Sequence, residues 1–221
     1  MTEYDGRWWD EMWRGRAVID SPPDDTLVSY VQDFTPGRVL EIGCGAGANA
    51  VWLAEQGWTV EAIDFSEEAV NLGRQLAAKR GVAVKFSVGD ATNFKPESQF
   101  DLIISFYIQL WPEARAMMLK MACEYLAPGG RLLFVSHDKS NPPPSWSKDE
   151  FESLTTPDEI VSELTRVEIE VATVIYHDEV SHMAVSDESH AHVWPNETSR
   201  RPCSEPGRFN SSSTLVLAVK N

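Results

Sequence analysis

Cysteine is scarce in this sequence: there are three, Cys44, Cys123 and Cys203. An odd number without close spacing excludes a disulfide framework and the CxxC pairs of zinc sites, and points to reduced thiols in a cytoplasmic protein. Positive charge is also in short supply. Nineteen basic residues face 34 acidic ones, a formal net charge of -15. The pairs Lys79-Arg80 and Arg200-Arg201 stand alone, and the acidic field repels phosphate backbones, so no nucleic-acid partner is expected. Long apolar runs are missing as well. None approaches the roughly 20 residues of a membrane-spanning helix. MTEYDGRWWDEMWRGR at the start has no apolar core of a signal peptide, so neither export nor membrane partnership is expected. No internal repeat is present.

What the chain does have is enough apolar residues, 43% of 221, to bury one good core. A single domain is expected, with a helical lid over residues 1–35, a cofactor-binding core over 36–138 and a C-terminal elaboration over 139–221. Ser21-Pro22-Pro23-Asp24 reads as a helix start. From RVLEIG onward, short apolar strands alternate with helices. AGANAVWLAEQ is a helix stopped by Gly57. SEEAVNLGRQLAAKR is another, capped by Ser66, with acids in its first turn, Lys79-Arg80 in its last, and Gly81 closing it. PEARAMMLKMACEYL is a third, which Pro128-Gly129-Gly130 should end before the strand RLLFVSH. Thr156-Pro157-Asp158-Glu159 is a capping-box start. Alternation of this kind predicts an α/β, Rossmann-like doubly wound parallel sheet. RVEIEVATVIYHDEV and STLVLAVK have no helical pattern between them and are expected to pair antiparallel. SNPPPSWSKDEF and the long polar stretch around 181–212 read as loops.

The chemistry concentrates in VLEIGCGAGANAVWLAEQGWTVEAID, where a strand, a glycine turn, a helix and a second strand follow one another. Gly43, Gly45 and Gly47 make GxGxG, a pattern that suggests S-adenosylmethionine. Gly43, Gly45 and Ala48 make GxGxxA, which suggests a dinucleotide. Asp64 lies 21 positions after Gly43, about the spacing of a ribose-binding acid in either case. Two other acids choose between them. Glu41 directs an anionic group toward the turn, which repels a pyrophosphate and tolerates an ammonium and a sulfonium. Asp90, in VGDAT, can take a hydrogen from an adenine amino group.

With EIGCGAG, IDFS and GDAT in place, the chain resembles the class I S-adenosylmethionine-dependent methyltransferases over roughly residues 38–137. The resemblance implies a seven-stranded sheet whose last strand is antiparallel. It is sharper to the small-molecule branch that contains thiopurine, thiol or halide and tellurite-resistance methyltransferases. WDEMW matches that branch's N-terminal W-x-x-x-W segment, and His137-Asp138 its SHD after strand five. FYIQLWP departs from the branch: Gln109 stands where relatives often carry a histidine, which argues against a general base there. On this resemblance the three glycines admit the methionine portion and Glu41 orients its amino end. Asp64 binds the ribose, Phe65 packs on adenine, Asp90 reads its amino group, and Ala91 and Phe106 complete the cofactor pocket.

Trp9 and Trp13 are i and i+4 on one helical face, suited either to docking a lid or to attracting a sulfonium. His137 is the candidate base, or else a loop anchor, and Tyr107 lines the methyl-donor pocket or simply packs. His177, His182, His190 and His192 lie close in sequence among acids, but their spacing matches no metal signature and no metal is expected. Cys44 reads as a small buried residue. The expected activity is methyl transfer to a small molecule, a thiol, selenide or telluride, by in-line displacement. O- or N-methylation, an NAD(P)-dependent oxidoreductase and a non-catalytic S-adenosylmethionine-binding protein stand as alternatives. Oligomeric state is left open by the sequence.

Overall fold

The structure, a computed structural model, describes residues 6–141, 150–177 and 211–221. Seven strands, β1 (Arg38–Ile42), β2 (Thr59–Asp64), β3 (Val84–Val88), β4 (Phe100–Phe106), β5 (Leu126–His137), β6 (Val167–His177) and β7 (Ser211–Lys220), form one sheet in the order β3-β2-β1-β4-β5-β7-β6. Strands β1 to β5 pair in parallel with one another, whereas β7 runs antiparallel to both β5 and β6. The helices are α1 (Gly6–Trp13), α2 (Asp25–Val31), α3 (Ala48–Glu55), α4 (Glu67–Arg80), α5 (Pro112–Tyr125) and α6 (Pro157–Glu163). Strand order reverses direction between β1 and β4, and in open α/β sheets that switch opens a crevice at the carboxyl ends of the strands.

The strands read as nearly continuous apolar runs because both faces are covered. Val39 joins a core with Leu27, Leu53, Val70 and Leu102 on one side of the sheet. Its neighbours Leu40 and Ile42 join Phe100, Met118, Leu119 and Phe134 on the other. The same alternation places Leu215 and Leu217 of β7 in the first core and Val216 in the second.

Local chemistry sets the helix ends. Ser66 Oγ accepts the Ala69 amide at 3.2 Å and Gly81 closes α4 at φ 70°. Thr156 and Glu159 form the reciprocal capping box of α6. Two boundaries differ from the sequence expectation. Asp24, not the prolines before it, caps α2 by accepting the Thr26 amide at 2.8 Å. Strand β5 begins at Leu126, ahead of Pro128-Gly129-Gly130, because Leu126 already pairs with Phe100; the register shift before Leu102 absorbs the interruption. Most of the expected 139–150 loop, the 181–210 stretch and Cys203 lie outside the described residues.

Gly47, at the start of α3, has φ 81°, and a Cβ there would lie 2.7 Å from the Phe86 ring of β3. This glycine lets helix and sheet close on each other. Gly47→Ala is therefore expected to cost about 2 kcal/mol or more through left-handed strain and overpacking. Adding Phe86→Leu should recover part of that loss in urea unfolding; a G47A variant as stable as the parent would contradict this packing.

Candidate active site

The turn after β1 is tied to the end of β2 by backbone hydrogen bonds. The Gly43 and Cys44 amides both donate to the Ile63 carbonyl at 2.9 Å, and the Gly45 amide donates to Asp64 Oδ2 at 2.9 Å. Gly43 and Gly45 take φ values of 74° and 50°, a region that costs L-residues strain. A Cβ on Gly43 would press Ile108 at 3.0 Å, and one on Gly45 would meet Trp13 at 3.5 Å. The turn thus stays low between the segment after β4 and helix α1.

Around it lies a cavity of about 210 Å³. Of the residues predicted for the site, Trp9, Trp13, Gly43, Gly45, Asp64, Phe65, Asp90, Ala91 and Tyr107 line it. Asp64 is held on both oxygens, since Oδ1 accepts the Ser66 amide at 3.0 Å. Burial raises its pKa, and the amides of Ser66, Gly45 and Phe65 oppose that rise. Asp90 is exposed and closes a local turn: Oδ1 accepts the Thr92 amide at 2.8 Å and the Thr92 hydroxyl at 2.7 Å. The Phe65 ring is 38% exposed and lies 6.4 Å from that of Trp9. Trp13 carries the Arg16 guanidinium 5.1 Å from its ring centre.

Tyr107 takes φ 55°, one of two non-glycine residues with positive φ among those described. Its amide donates to the Val135 carbonyl at 2.8 Å, and its hydroxyl shares a 3.1 Å hydrogen bond with Ser213. Strain of this kind persists where surroundings fix it and concentrates at functional sites. Burial raises the phenol's pKa, so it stays protonated near neutrality. The His137 ring lies against Tyr107, centroids 4.9 Å apart, and is not among the cavity-lining residues. Asp138 beside it is an anchor: it accepts from Thr214 Oγ1 at 2.7 Å and from the Ser140 amide and hydroxyl.

Three further predicted residues lie off the cavity surface. Phe106 is buried at the end of β4, Gly47 faces Phe86, and Glu41 is 2% exposed. Gly47 offers α3 no side-chain cap. Glu41 lies beside this helix start, where the Asn49 side chain and the Ala50 amide favour its ionised form. Its Oε2 is buried without a partner. Burial pushes its pKa up to about 8, although Asn49 and Ala50 oppose the shift.

Sequence reasoning did not single out Ile63, Gly89, Ile108 and Leu110, which also line the cavity, nor Asp10 and Ser66, which bond beside it. The available signal was the apolar IQL stretch before Pro112. Among the described residues no group of three or more His, Cys, Asp and Glu is placed to hold a metal. No described helix is long and apolar enough to cross a membrane. His182, His190, His192 and the side chain of His177 fall outside the described set.

The Glu41 carboxyl ordinarily ionises at 4.5. Between that value and about 8 only the folded chain keeps this proton, so stability falls as pH rises and levels off above about 8. Glu41→Gln keeps the size and polarity of the side chain and cannot titrate. It should flatten the decline by roughly 4 kcal/mol, measured as the difference from the parent in urea unfolding between pH 4.5 and 9.

Comparison with known proteins agrees with this geometry. A family described as Methyltransferase domain matches residues 39–130. The 2-heptyl-1-hydroxyquinolin-4(1H)-one methyltransferase of Mycobacteroides abscessus is 31% identical over 158 residues, covering 65% of this chain and 70% of that one. Ribosomal RNA small subunit methyltransferase C of Alcanivorax borkumensis is 31% identical over 140 residues, 61% of this chain but only 41% of that protein. TehB from Haemophilus influenzae superposes with a TM-score of 0.68 at 19% identity, covering 90% of this chain and 62% of the other. By these likenesses the chain belongs to the class I S-adenosylmethionine-dependent methyltransferases.

Proposed function

We propose that this methyltransferase acts on a small molecule and that the methylated atom is a soft nucleophile, a thiol, selenide or telluride. The observation that carries this reading is the chemistry of the cavity wall. Among its described lining residues the ionisable side chains are Asp64, Asp90 and Tyr107. Both acids stand at the carboxyl ends of β2 and β3, where the nucleoside would lie. The wall made by Tyr107, Ile108, Gln109 and Leu110 is neutral, and its phenol holds its proton. A nucleophile that arrives ionised needs no base from such a wall.

The residues present fit the cofactor. Glu41 Oε2 is a buried acceptor without a partner, suited to an ammonium directly or through water. Asp64 has lone pairs left for ribose hydroxyls after accepting one amide on each oxygen. Phe65 offers an aromatic face to adenine, with Ala91 beside it, while Asp90 lies within the same cavity. When bound, S-adenosylmethionine supplies an electrophilic methyl on a sulfonium. Trp9 and Trp13 then exclude water and present aromatic faces to that cation, an attraction of about 0.5–2 kcal/mol. Methyl transfer from a cation to an anion destroys two charges, so an apolar, water-poor cavity favours the product side. Positioning and desolvation carry the catalysis.

A second reading has one observation in its favour: the relative from Mycobacteroides abscessus is named for a hydroxyquinolinone acceptor. Under O- or N-methylation, His137 would draw a proton past Tyr107. The two readings differ in what His137→Ala does. With a soft acceptor, kcat should stay within about threefold of the parent; loss of a general base would lower it about 10²-fold or more. Turnover across thiols, chalcogenides, N-hydroxyl compounds, phenols and amines decides between them, and exclusive reaction with phenols or amines rejects the soft-nucleophile proposal.

Asp64→Ala should weaken S-adenosylmethionine binding by about 10- to 100-fold, because a charge-assisted bidentate contact is lost. Titration calorimetry reads this directly; unchanged affinity would remove Asp64 from the ribose site.

A further inference from the structure

Helix α1 brings Trp9 and Trp13 to the cavity, and one polar residue between them makes the most specific contact in that region. Asp10 Oδ1 accepts the Ser66 hydroxyl at 2.7 Å and the Glu68 amide at 3.3 Å. Ser66 is fully buried, and its Oγ in turn accepts the Ala69 amide at the start of α4. Its own amide donates to Asp64 Oδ1 at 3.0 Å. A carboxylate at this place satisfies the free amides of a helix N-terminus and complements its dipole. The contact joins residues 56 positions apart. It therefore holds α1 to the core and has no part in folding α1 itself.

We infer that Asp10 is a positioning residue: through Ser66 it latches helix α1 over the cofactor cavity, on the same 64–66 turn that presents Asp64 to the ribose. The latch explains how a short helix with a polar outer face stays in place. Trp13 rests near Gly45 and Trp9 near Phe65, contacts that fix the face of α1 but not its position along the sheet edge. Asp10 supplies that registration. Because Asp64 and Asp10 bind opposite sides of Ser66, a ligand that fixes Asp64 also fixes the donor that holds the lid. Lid closure and cofactor occupancy then favour each other. This rests on the cofactor placement proposed above.

Two variants test the latch. Asp10→Ala removes the acceptor, whereas Asp10→Asn keeps an oxygen for Ser66 and Glu68 without the charge. In the ligand-free protein, trypsin cleavage after Arg14 or Arg16 should be faster in D10A and near the parent rate in D10N. Calorimetry should give S-adenosylmethionine binding about five- to tenfold weaker in D10A, the size of one hydrogen bond, with D10N within about twofold of the parent. The thermal midpoint of D10A should stay close to the parent's, because the sheet core is untouched. A D10A protein with parental proteolysis and affinity overturns the inference. So does a D10N protein as defective as D10A, which would make charge the cause. A large fall in midpoint with unchanged affinity would reduce Asp10 to a cap for α4, and also overturns it. If the parent itself fails to bind S-adenosylmethionine, the cofactor placement fails while the proteolysis comparison still decides the latch.

Discussion

The Ile63 carbonyl and the Asp64 carboxylate organise this molecule's working edge. Between them they take the amides of Gly43, Cys44 and Gly45, so the loop leaving β1 is clamped to the end of β2. Without the clamp, a turn containing three positive-φ glycines would have many conformations to lose on folding. With it, the backbone lies low along the cavity, α3 starts beside Glu41, and Ser66 is aimed at Asp10. Cavity, helix and lid all hang from two adjacent residues.

The clamp also accounts for the acidity of the site. Asp64 is half-buried and engaged, Glu41 is buried with an unpartnered oxygen, and the charge of Asp64 adds to the burial that raises the pKa of Glu41. Such an arrangement is unfavourable in isolation. It becomes favourable when a ligand brings positive charge, and a sulfonium with an ammonium brings two. On the cofactor placement proposed above, the two acids would disfavour anionic ligands and favour cationic ones.

Much of the fold was legible because its signals are local. The caps at Ser66 and Thr156, the stop at Gly81 and the apolar runs of β1, β2 and β4 depend on neighbours within a few positions. The misplaced start of β5 has the opposite cause, since Leu126 is a strand residue only because Phe100 pairs with it. The site divides in the same way. The place of Asp64 on the cavity was legible in its spacing, and that of Trp9 with Trp13 in their shared helical face. Gly47 reads as part of GxGxG, and its packing against the Phe86 ring is invisible in the sequence because that ring belongs to a distant strand. The burial of Glu41 beside the start of α3, and the bond between Asp10 and Ser66, arise only once strands and helices are assembled. Asp90 lay between: D-A-T names an acid, and the side chain's own turn with Thr92 was implicit in the same three letters.

Strand β7 comes later in the chain than β6, yet it sits between β6 and β5. Strand β6 therefore has no place in the sheet until β7 has been inserted, and the half of the core built on Leu215, Val216 and Leu217 stays open until then. A chain emerging from the ribosome would hold a paired β1–β5 sheet with an uncovered edge, beside an eleven-residue strand waiting for its partner β7. Non-local pairing of this sort is slow and leaves an adhesive surface in the interval. The same insertion, once made, brings Thr214 to Asp138 and Ser213 to Tyr107, so the last strand to pair is also the one that completes the wall of the cavity.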